Sequence, residues 1–448
     1  MGLEAKSTRR VLIVTSSYAP TMIADMHRAR QLAWELPKLG WHVEILHADE
    51  NFQPESCIDS DSAPFFAPGT PIHSVPELFP ALFRAVGART IGVRALVPIL
   101  LAGRKLLKRR RFDLVYFSTA SFLLFLLGPA WRRFRVPFVL DLHDPFFKEK
   151  RWHPVWARPG LKHALGRLFA KFTEARSIRT AAGLVSVSPK YVDVLRYRYL
   201  HEDPPCLRGN RHAVIPFAAL PQDLEEVRKT TGPCSPRLGR SGLRRIVYVG
   251  AGGPIMVRSF SLLCEALASL RLRRRELIEQ IRLELYGTVL GWREGDPRVL
   301  AGVSQQWGLA EVVTEEPRRV SYRRSLELLL ESDGALLLGV DDEGFTPSKL
   351  ANYGLSAKPL LASLHRESPA FAHFQNNPHW GRSLWFDQFG KMNAEEASYV
   401  VEDFLLEAVE GKLVDRHSTL QPWLAASMAQ RHAELFSTCI QDEPHWSS

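Results

Sequence analysis

Short runs of β-branched and other apolar residues recur along the chain, and longer stretches with apolar residues at helical spacing separate most of them. The first series of predicted strands covers residues 11–15, 43–47, 113–117, 137–141, 183–187 and 213–216. The second series covers residues 246–249, 281–286, 311–314, 334–338 and 359–362. The runs lack strict alternation, which is typical of strands buried on both faces of a parallel sheet. The pattern therefore predicts an α/β protein with two doubly wound parallel-sheet domains.

A segment rich in proline and glycine separates the two series of strands, with such residues at Pro221, Gly232, Pro233, Pro236, Gly239 and Gly242. We predict an N-terminal domain over residues 1–217, a linker over 218–244, a C-terminal domain over 245–415 and a helical tail over 416–448. Ligands of open parallel sheets bind beyond the carboxyl ends of the strands. We therefore expect the two domains to face a central cleft that holds the ligands.

Composition narrows the class of protein. The chain has 448 residues, of which 46% are hydrophobic and 24% charged, as in soluble globular proteins. A net charge of +10 suggests an anionic partner, either a nucleotide, a nucleic acid or an acidic membrane surface. The five cysteines are scattered without a C-x-x-C pair, which disfavours a disulfide framework or a zinc site. Because no apolar leader follows the first residues, we expect a cytoplasmic protein.

The segment DDEGFTPSKLANYGLSAKPLLAS, residues 341–363, is the most informative of the chain. It follows a predicted buried strand, and Pro347 and Ser348 predict the start of a helix capped by Thr346 or a neighbour. Lys349 in the first turn opposes the helix dipole unless an anion binds there. A solvated surface lysine is the alternative, but the position at the carboxyl end of a strand favours an anion site.

This segment resembles the nucleotide-sugar segment of glycosyltransferase family 4 enzymes of the GT-B fold, in the subgroup with P-S-K-L-x-E-Y and then G-K-P. Other segments follow in the family's order, namely RRVLIVTSSYAPTMIADMHRARQLAWELPKLGWHVEILH, FDLVYFSTASFLLFLL, VPFVLDLHDP, AAGLVSVSPKYVDVLRYRY and HAVIPFA. The resemblance implies two Rossmann-like domains and a hexosyltransferase-type enzyme that uses a nucleoside diphosphate sugar as donor. It also implies retention of configuration and neither a metal nor another cofactor. The acceptor, a polysaccharide, a glycolipid or a small molecule, is expected on the N-terminal domain.

The resemblance assigns residues to the donor diphosphate. Lys349 matches the family's phosphate-binding lysine, with Ser348 beside it. In the first loop of the C-terminal domain, Gly252 and Gly253 would let the backbone approach a phosphate. The family's early arginine is replaced there by alanine, so Arg258 is the cation that we predict for this loop. A tight turn without a ligand is the alternative for the glycines.

The family's carboxylate pair is incomplete in this chain. Glu343 matches its first member, whereas the second falls on Asn352 in the P-S-K-L-x-E-Y register. An acid there ordinarily accepts hydrogen bonds from the ribose hydroxyls. Asn352 can accept one without charge assistance, which costs about 1 kcal/mol. Altered nucleotide binding and a catalytically degenerate scaffold protein are therefore both open alternatives.

His143 and Asp144 end a buried strand of the N-terminal domain and resemble the family's strand-end histidine near the transferred sugar. With Glu343 they are the predicted catalytic residues, since histidine can bond a sugar hydroxyl at neutral pH. The alternative is that Asp144 caps the next turn and His143 packs. Three polar residues of the first loop are predicted to bind the acceptor: Asp25, His27 and Arg28.

A peripheral membrane contact is suggested by apolar residues 95–101, which run into a basic block at 104–111, as in interfacial helices. A helix that covers the sheet with a solvated basic end is the alternative. Residues 122–127 are too short to span a bilayer. No aromatic and basic platform or helix-turn-helix pattern favours a nucleic-acid partner. An epimerase on the same fold is the closest enzymatic alternative.

Overall fold

A computed structural model describes residues 8–85, 90–146, 161–231 and 242–441. The chain divides into two compact units: the N-terminal unit is Met1–Pro216 with Ala425–Ser448, and the C-terminal unit is Phe217–Leu424. Each unit is built on one sheet, and every pair of strands in both sheets is parallel. The prediction of two doubly wound parallel-sheet domains is therefore confirmed.

The N-terminal unit has a seven-stranded sheet with the order β3-β2-β1-β4-β5-β6-β7. Its strands are β1 Arg9–Thr15, β2 Trp41–Ala48, β3 Ile72–Val75, β4 Leu114–Ser118, β5 Phe138–Leu142, β6 Gly183–Ser186 and β7 His212–Val214. Its first helices are α1 His27–Glu35, α2 Pro80–Ala85, α3 Ile91–Arg109, α4 Leu127–Trp131, α5 Leu161–Ile178 and α6 Pro189–Arg198. Every residue of β4 and β5 is buried, as expected for a sheet covered by helices on both faces.

The C-terminal unit has a six-stranded sheet with the order β10-β9-β8-β11-β12-β13. Its strands are β8 Arg244–Val249, β9 Ile281–Tyr286, β10 Val313–Glu316, β11 Gly334–Leu338, β12 Leu360–His365 and β13 Arg382–Phe386. Its helices are α7 Pro221–Thr231, α8 Val257–Arg273, α9 Arg275–Ile278, α10 Val299–Gln306, α11 Tyr322–Glu331, α12 Leu350–Leu355, α13 Pro369–Asn376, α14 Ala394–Val409 and α15 His417–Leu420. The core lies between this sheet and the apolar faces of helices such as α8 and α14.

The last helix, α16 Ala425–Gln441, returns to the N-terminal unit. Its buried Phe436 packs edge-on against Trp41 of β2 at a ring distance of 5.6 Å. Just before α16, Leu424 forms a β-bridge with Ala219. The chain therefore leaves the C-terminal unit beside the point where it entered that unit. Of the predicted tail over residues 416–448, only the part from Ala425 belongs to the N-terminal unit.

The range predicted as a linker, residues 218–244, contains a packed helix. Leu224 and Val227 of α7 are buried, and Asp223 accepts a hydrogen bond from the Tyr322 hydroxyl of α11 at 2.8 Å. Apolar residues three positions apart on one helix face explain this packing, which the prolines and glycines of the segment obscured. Residues 232–241, with Cys234, lie outside the described part of the chain. The other four cysteines are buried and unbridged.

Two strands were not predicted, and both lie at an edge of a sheet. They are β3 and β13. Edge strands are paired on one side and can expose polar residues, so their sequences lack a long apolar run. His73 and Ser74 of β3 and Arg382 and Ser383 of β13 have this character. The central strands, which are buried on both faces, were all predicted.

Candidate functional site

The strand orders locate the switch point of each sheet. In the C-terminal unit the order reverses at β8, which lies between β9 and β11. In the N-terminal unit it reverses at β1, between β2 and β4. Ligands of doubly wound sheets bind at the carboxyl ends of strands beside such points. The loops after β8 and β11, and those after β1, β4 and β5, are therefore the places where functional side chains are expected.

Lys349 links the loops that follow β8 and β11. Its side chain reaches across to the last residue of β8, where Nζ donates a hydrogen bond to the Val249 carbonyl at 2.6 Å. A side chain on Gly250 would collide with this amine, so the glycine makes room for it. Tyr353, one helical turn further on, places its hydroxyl 3.1 Å from the Val249 amide. The predicted phosphate-binding lysine thus lies at the switch point of the C-terminal sheet.

A second cation acts on Lys349. The backbone of Arg319, in the loop after β10, lies beside Gly287, as a Cβ added to Gly287 would be 3.7 Å from the Arg319 Cα. Burial, and after it the positive charge of Arg319, lower the pKa of Lys349 to about 8. Like charges near one another repel, and an anion bound by both groups would relieve that repulsion. The arrangement is suited to a diphosphate.

The lowered pKa of Lys349 predicts how donor binding depends on pH. Above pH 8 the amine loses its proton, so a nucleoside diphosphate such as ADP should bind more weakly, approaching tenfold per pH unit. The variant Lys349→Arg should keep its affinity up to about pH 10, because a guanidinium stays charged there. Isothermal titration calorimetry at several pH values measures both. A wild-type affinity that is constant across this range would remove Lys349 from the phosphate site.

Backbone conformation and close contacts within the protein explain the glycines in the loop after β8. Gly253 has a φ of +31°, a backbone conformation that residues with a side chain rarely adopt. A side chain on Gly252 would collide with Met256. The Gly252 amide donates to the Thr288 carbonyl at 3.0 Å, so this N–H is not directed at a phosphate. The glycines allow a tight turn beside the switch point, which is the alternative that the sequence left open for this loop.

Arg258, the cation predicted for the same loop, is held by neighbouring groups. Its guanidinium lies 3.1 Å from the Asp341 carboxylate and donates to the Asp387 carbonyl. It also lies over the Phe386 ring at 5.5 Å. These contacts neutralise much of its charge. The charge that acts on Lys349 is instead that of Arg319, which was not predicted.

The helix after β11 begins later than predicted. Pro347 and Ser348 lie in a turn in which the Leu350 amide donates to the Pro347 carbonyl at 3.3 Å. The helix α12 starts at Leu350, and Lys349 occupies the position before it without a side-chain cap. Since α12 has only six residues, the charge of Lys349 and not a helix dipole is what this segment offers an anion. Glu343 is half-buried in the loop that precedes the turn.

Asn352 occupies the position where the family pattern has a glutamate. Its Oδ1 atom is buried and receives no hydrogen bond from any residue in the described ranges. A buried acceptor without a donor costs free energy on the order of 1–3 kcal/mol. A donor from a ligand, such as a ribose hydroxyl, would remove this penalty. This placement fits the prediction that Asn352 accepts a hydrogen bond from a ribose hydroxyl.

In the N-terminal unit, His143 is bound to a buried carboxylate that was not predicted. His143 Nε2 donates to Asp141 Oδ2 at 2.7 Å, and both side chains are almost fully buried. Arg28 of α1, predicted to bind the acceptor, instead pairs with Asp141 through Nε at 3.0 Å. Burial alone would raise the pKa of Asp141, but the charges of Arg28 and His143 hold it well below its usual range. Asp141 and His143 are two positions apart, so the strand period places them on one face.

The other predicted residues of this unit lie in different surroundings. Asp144 is exposed, whereas His143 beside it is buried. Asp25 is buried and accepts hydrogen bonds from the hydroxyls of Ser16 and Ser17, which follow β1. His27, at the start of α1, is half-buried. The carboxyl ends of β1 and β5 therefore carry separate polar groups, Asp25 at the first and the Asp141–His143 pair at the second.

Sequence comparison matches part of the chain to a family model. Residues 27–211 match the family model of the glycosyl transferase 4-like domain. This range covers most of the N-terminal unit, from α1 to the start of β7. A search among curated proteins finds no match to the sequence.

Solved structures extend the likeness to the whole chain. HepE from Anabaena, solved with UDP-glucose, has a TM-score of 0.58 at 14% identity, covering 96% of this chain and 99% of its own. The catalytic domain of starch synthase IV from Arabidopsis thaliana, solved with ADP and acarbose, has a TM-score of 0.58 at 11% identity, covering 97% and 100%. A protein assigned as a UDP-N-acetylglucosamine 2-epimerase from Listeria monocytogenes has a TM-score of 0.53 at 11% identity, covering 97% of each chain. Residues 27–211 therefore match a glycosyl transferase 4-like domain, and the chain as a whole has the fold of the GT-B glycosyltransferases.

Proposed function

We propose that this protein is a nucleotide-sugar-dependent glycosyltransferase whose C-terminal unit holds the donor. The observation that carries the proposal is the pair of cations at the switch point, where Lys349 reaches the end of β8 under the influence of Arg319. Departure of a nucleoside diphosphate requires positive groups at the β-phosphate. The solved neighbours with UDP, UDP-glucose or ADP bound support the choice of donor class.

The mechanism follows from this placement. Lys349 and Arg319 stabilise the negative charge that develops on the diphosphate, so transfer does not depend on a metal ion. On the N-terminal unit, His143 Nε2 donates a hydrogen bond to Asp141, which orients the imidazole at the carboxyl end of β5. In this orientation His143 can form a hydrogen bond with a sugar hydroxyl. The family resemblance supports transfer with retention of configuration, with a hexose as the transferred sugar.

A ligand screen tests the proposal. Thermal unfolding should shift upward with one class among UDP, ADP, GDP and their sugar conjugates, because a ligand selective for the native state stabilises it. Hydrolysis or transfer of the matching nucleotide sugar should persist in EDTA. If no nucleotide stabilises the protein, the donor site is refuted. If a sugar is isomerised and never transferred, the epimerase is correct instead.

A catalytically degenerate binding protein is the second candidate, and Asn352 favours it. Replacing Asn352 by glutamate would restore the family pattern and supply a charged acceptor to the ribose. In an active enzyme that uses this position, Asn352→Glu should change the affinity for UDP or ADP by about fivefold to tenfold. Calorimetry compares it with Asn352→Gln, which adds length without charge. If the two variants bind the nucleotide alike and neither transfers sugar, the result favours a catalytically degenerate binding protein.

We also propose a peripheral contact with anionic membranes through α3. On this helix Val93, Val97 and Leu101 lie four residues apart and are 40%, 47% and 53% exposed. The basic block beyond them is largely unneutralised in the described part of the chain, since Arg110 pairs with Glu44 and the others form no ion pair: Arg104, Lys105, Lys108, Arg109 and Arg111. An apolar stripe that leads into such a block complements an anionic bilayer surface. None of the described helices is long and apolar enough to span a membrane.

Vesicle sedimentation tests the membrane contact. The protein should bind vesicles that contain phosphatidylglycerol and not those of phosphatidylcholine alone, and high salt should release it. The variant Leu101→Glu should reduce the bound fraction about tenfold, because a charge replaces an inserted apolar side chain. Leu272→Glu is the matched control, since Leu272 is 89% exposed on α8 of the other unit. Equal loss with both variants would contradict the assignment of the surface to α3.

A further inference from the structure

A buried hydrogen-bond network joins Asp141 to the last helix of the chain. Asp141 Oδ2 accepts hydrogen bonds from three groups: the Tyr116 hydroxyl at 2.7 Å, the Ser118 hydroxyl at 3.0 Å and His143 Nε2 at 2.7 Å. It also forms an ion pair with Arg28 Nε at 3.0 Å. The Tyr116 hydroxyl also lies 2.9 Å from His432 Nε2, on α16. Tyr116 and His432 are both fully buried. The network therefore connects His143 to a residue almost 300 positions later in the sequence.

The tautomer of His432 is fixed by its own helix. Its Nδ1 lies 2.7 Å from the Met428 carbonyl. A carbonyl can only accept, so Nδ1 carries a proton and donates it. Burial, and after it the charge of Arg28, lower the pKa of His432 to about 3. The ring is therefore neutral near pH 7, and Nε2 presents a lone pair to the Tyr116 hydroxyl.

The phenol of Tyr116 has one proton and two acceptors within reach. When it donates to Asp141, the carboxylate receives one more donor and holds the His143 N–H less strongly. When it donates to His432, Asp141 loses that donor and interacts more strongly with His143. Hydrogen bonds to a charged group are stronger than those between neutral groups, so the division of this proton matters to Asp141. Arg431, the charged neighbour of His432 on α16, donates to the Val214 carbonyl at 2.7 Å.

We infer that His432 is a positioning residue for His143, acting through Tyr116 and the Asp141 carboxylate. The last helix thereby becomes part of the functional site of the N-terminal unit. The coupling from His432 to His143 stands by itself, while its importance for sugar transfer rests on the proposed function. His432 is expected to touch neither donor nor acceptor.

Titration of His143 by NMR in the full-length protein tests the coupling, and two variants should move it in opposite directions. In His432→Phe, Tyr116 donates to Asp141 alone, so the pKa of His143 should fall by about 0.5 to 1 unit. In Tyr116→Phe, Asp141 loses a donor, so the pKa of His143 should rise by about the same amount. In the double variant, His432→Phe should add nothing to Tyr116→Phe, because the connecting hydroxyl is gone.

The control is Phe436→Leu, because Phe436 packs against the rings of Tyr116 and His432 at 5.1 and 5.7 Å with no hydrogen bond to either. It should leave the His143 titration unchanged. An unchanged titration in folded His432→Phe overturns the inference whether or not the protein transfers sugar. A shifted titration without a shift in the pH profile of kcat supports the inference and removes His143 from the proposed chemistry. If His432→Phe does not fold, ¹⁵N shifts of wild-type His432 decide, since an Nε2–H tautomer or an imidazolium contradicts the inference.

Discussion

Replacing Lys349 by alanine should weaken the binding of UDP or ADP by about 30- to 150-fold, the effect of removing a hydrogen bond to a charged group worth about 2–3 kcal/mol. The amine reaches the switch point through its hydrogen bond to the Val249 carbonyl. Calorimetry near pH 7, where the amine is charged, gives the affinity. The matched control is Lys412→Ala, whose amine pairs with Glu407 on the surface of the same unit. Equal affinities for wild type and Lys349→Ala would refute the site.

Two further variants separate charge from position in this site. Arg319→Ala should weaken binding in the same direction and by a smaller factor, because its loss also raises the pKa of Lys349 and keeps that amine charged. Gly250→Ala should displace the Lys349 amine without removing it, since the added methyl group would collide with Nζ. Its affinity is expected to fall between those of wild type and Lys349→Ala.

Replacing Asp141 by alanine should destabilise the N-terminal unit by about 3–5 kcal/mol, because it leaves the buried guanidinium of Arg28 without its carboxylate. Urea unfolding followed by tryptophan fluorescence gives the change in the free energy of unfolding. The control is Asp193→Ala, since Asp193 is exposed and its pair with Arg196 is on the surface, where such a pair contributes at most about 1 kcal/mol. Similar losses for both variants would show that the buried network does not stabilise the unit.

The loss of stability caused by Asp141→Ala should depend on pH. Burial raises the pKa of Asp141, and the charges of Arg28 and His143 overcome that effect and lower it in the folded state. The stabilisation is therefore fully present above the pKa of an unfolded aspartate, about 4, and is lost as the pH falls through the folded value. The part of the stability difference between wild type and Asp141→Ala that comes from the ionised carboxylate should therefore shrink below about pH 4.

The sequence predicted the elements whose physical signal is local. Strands buried on both faces, such as β5 and β11, have continuous apolar runs that no other element of that length requires. The edge strands β3 and β13 have no such run because water covers part of their surface. Helix α7 was hidden because its neighbourhood is rich in proline and glycine, although the spacing of its buried residues is helical. At α7, the local composition therefore predicts a linker, whereas contacts with residues distant in sequence stabilise a packed helix.

The candidate site was predictable only where one residue type has a fixed place after a strand. Lys349 and His143 were selected in this way, and the structure places each of them at the carboxyl end of a strand. Arg319 was not, because its effect on Lys349 depends on the approach of the loops after β9 and β10, which are about 30 residues or more away along the chain. Arg258 was selected for its place in the loop, and its partner Asp341 could not be known without the fold.

The return of α16 has a consequence for the order in which the protein folds during synthesis. Residues 217–424 are continuous and can form their own sheet as soon as they leave the ribosome. The sheet of the N-terminal unit, although made first, lacks the cover that Phe436 and His432 provide over Trp41 and Tyr116 until the last residues emerge. A nascent chain that stalls before Ala425 therefore exposes an apolar face of the N-terminal unit.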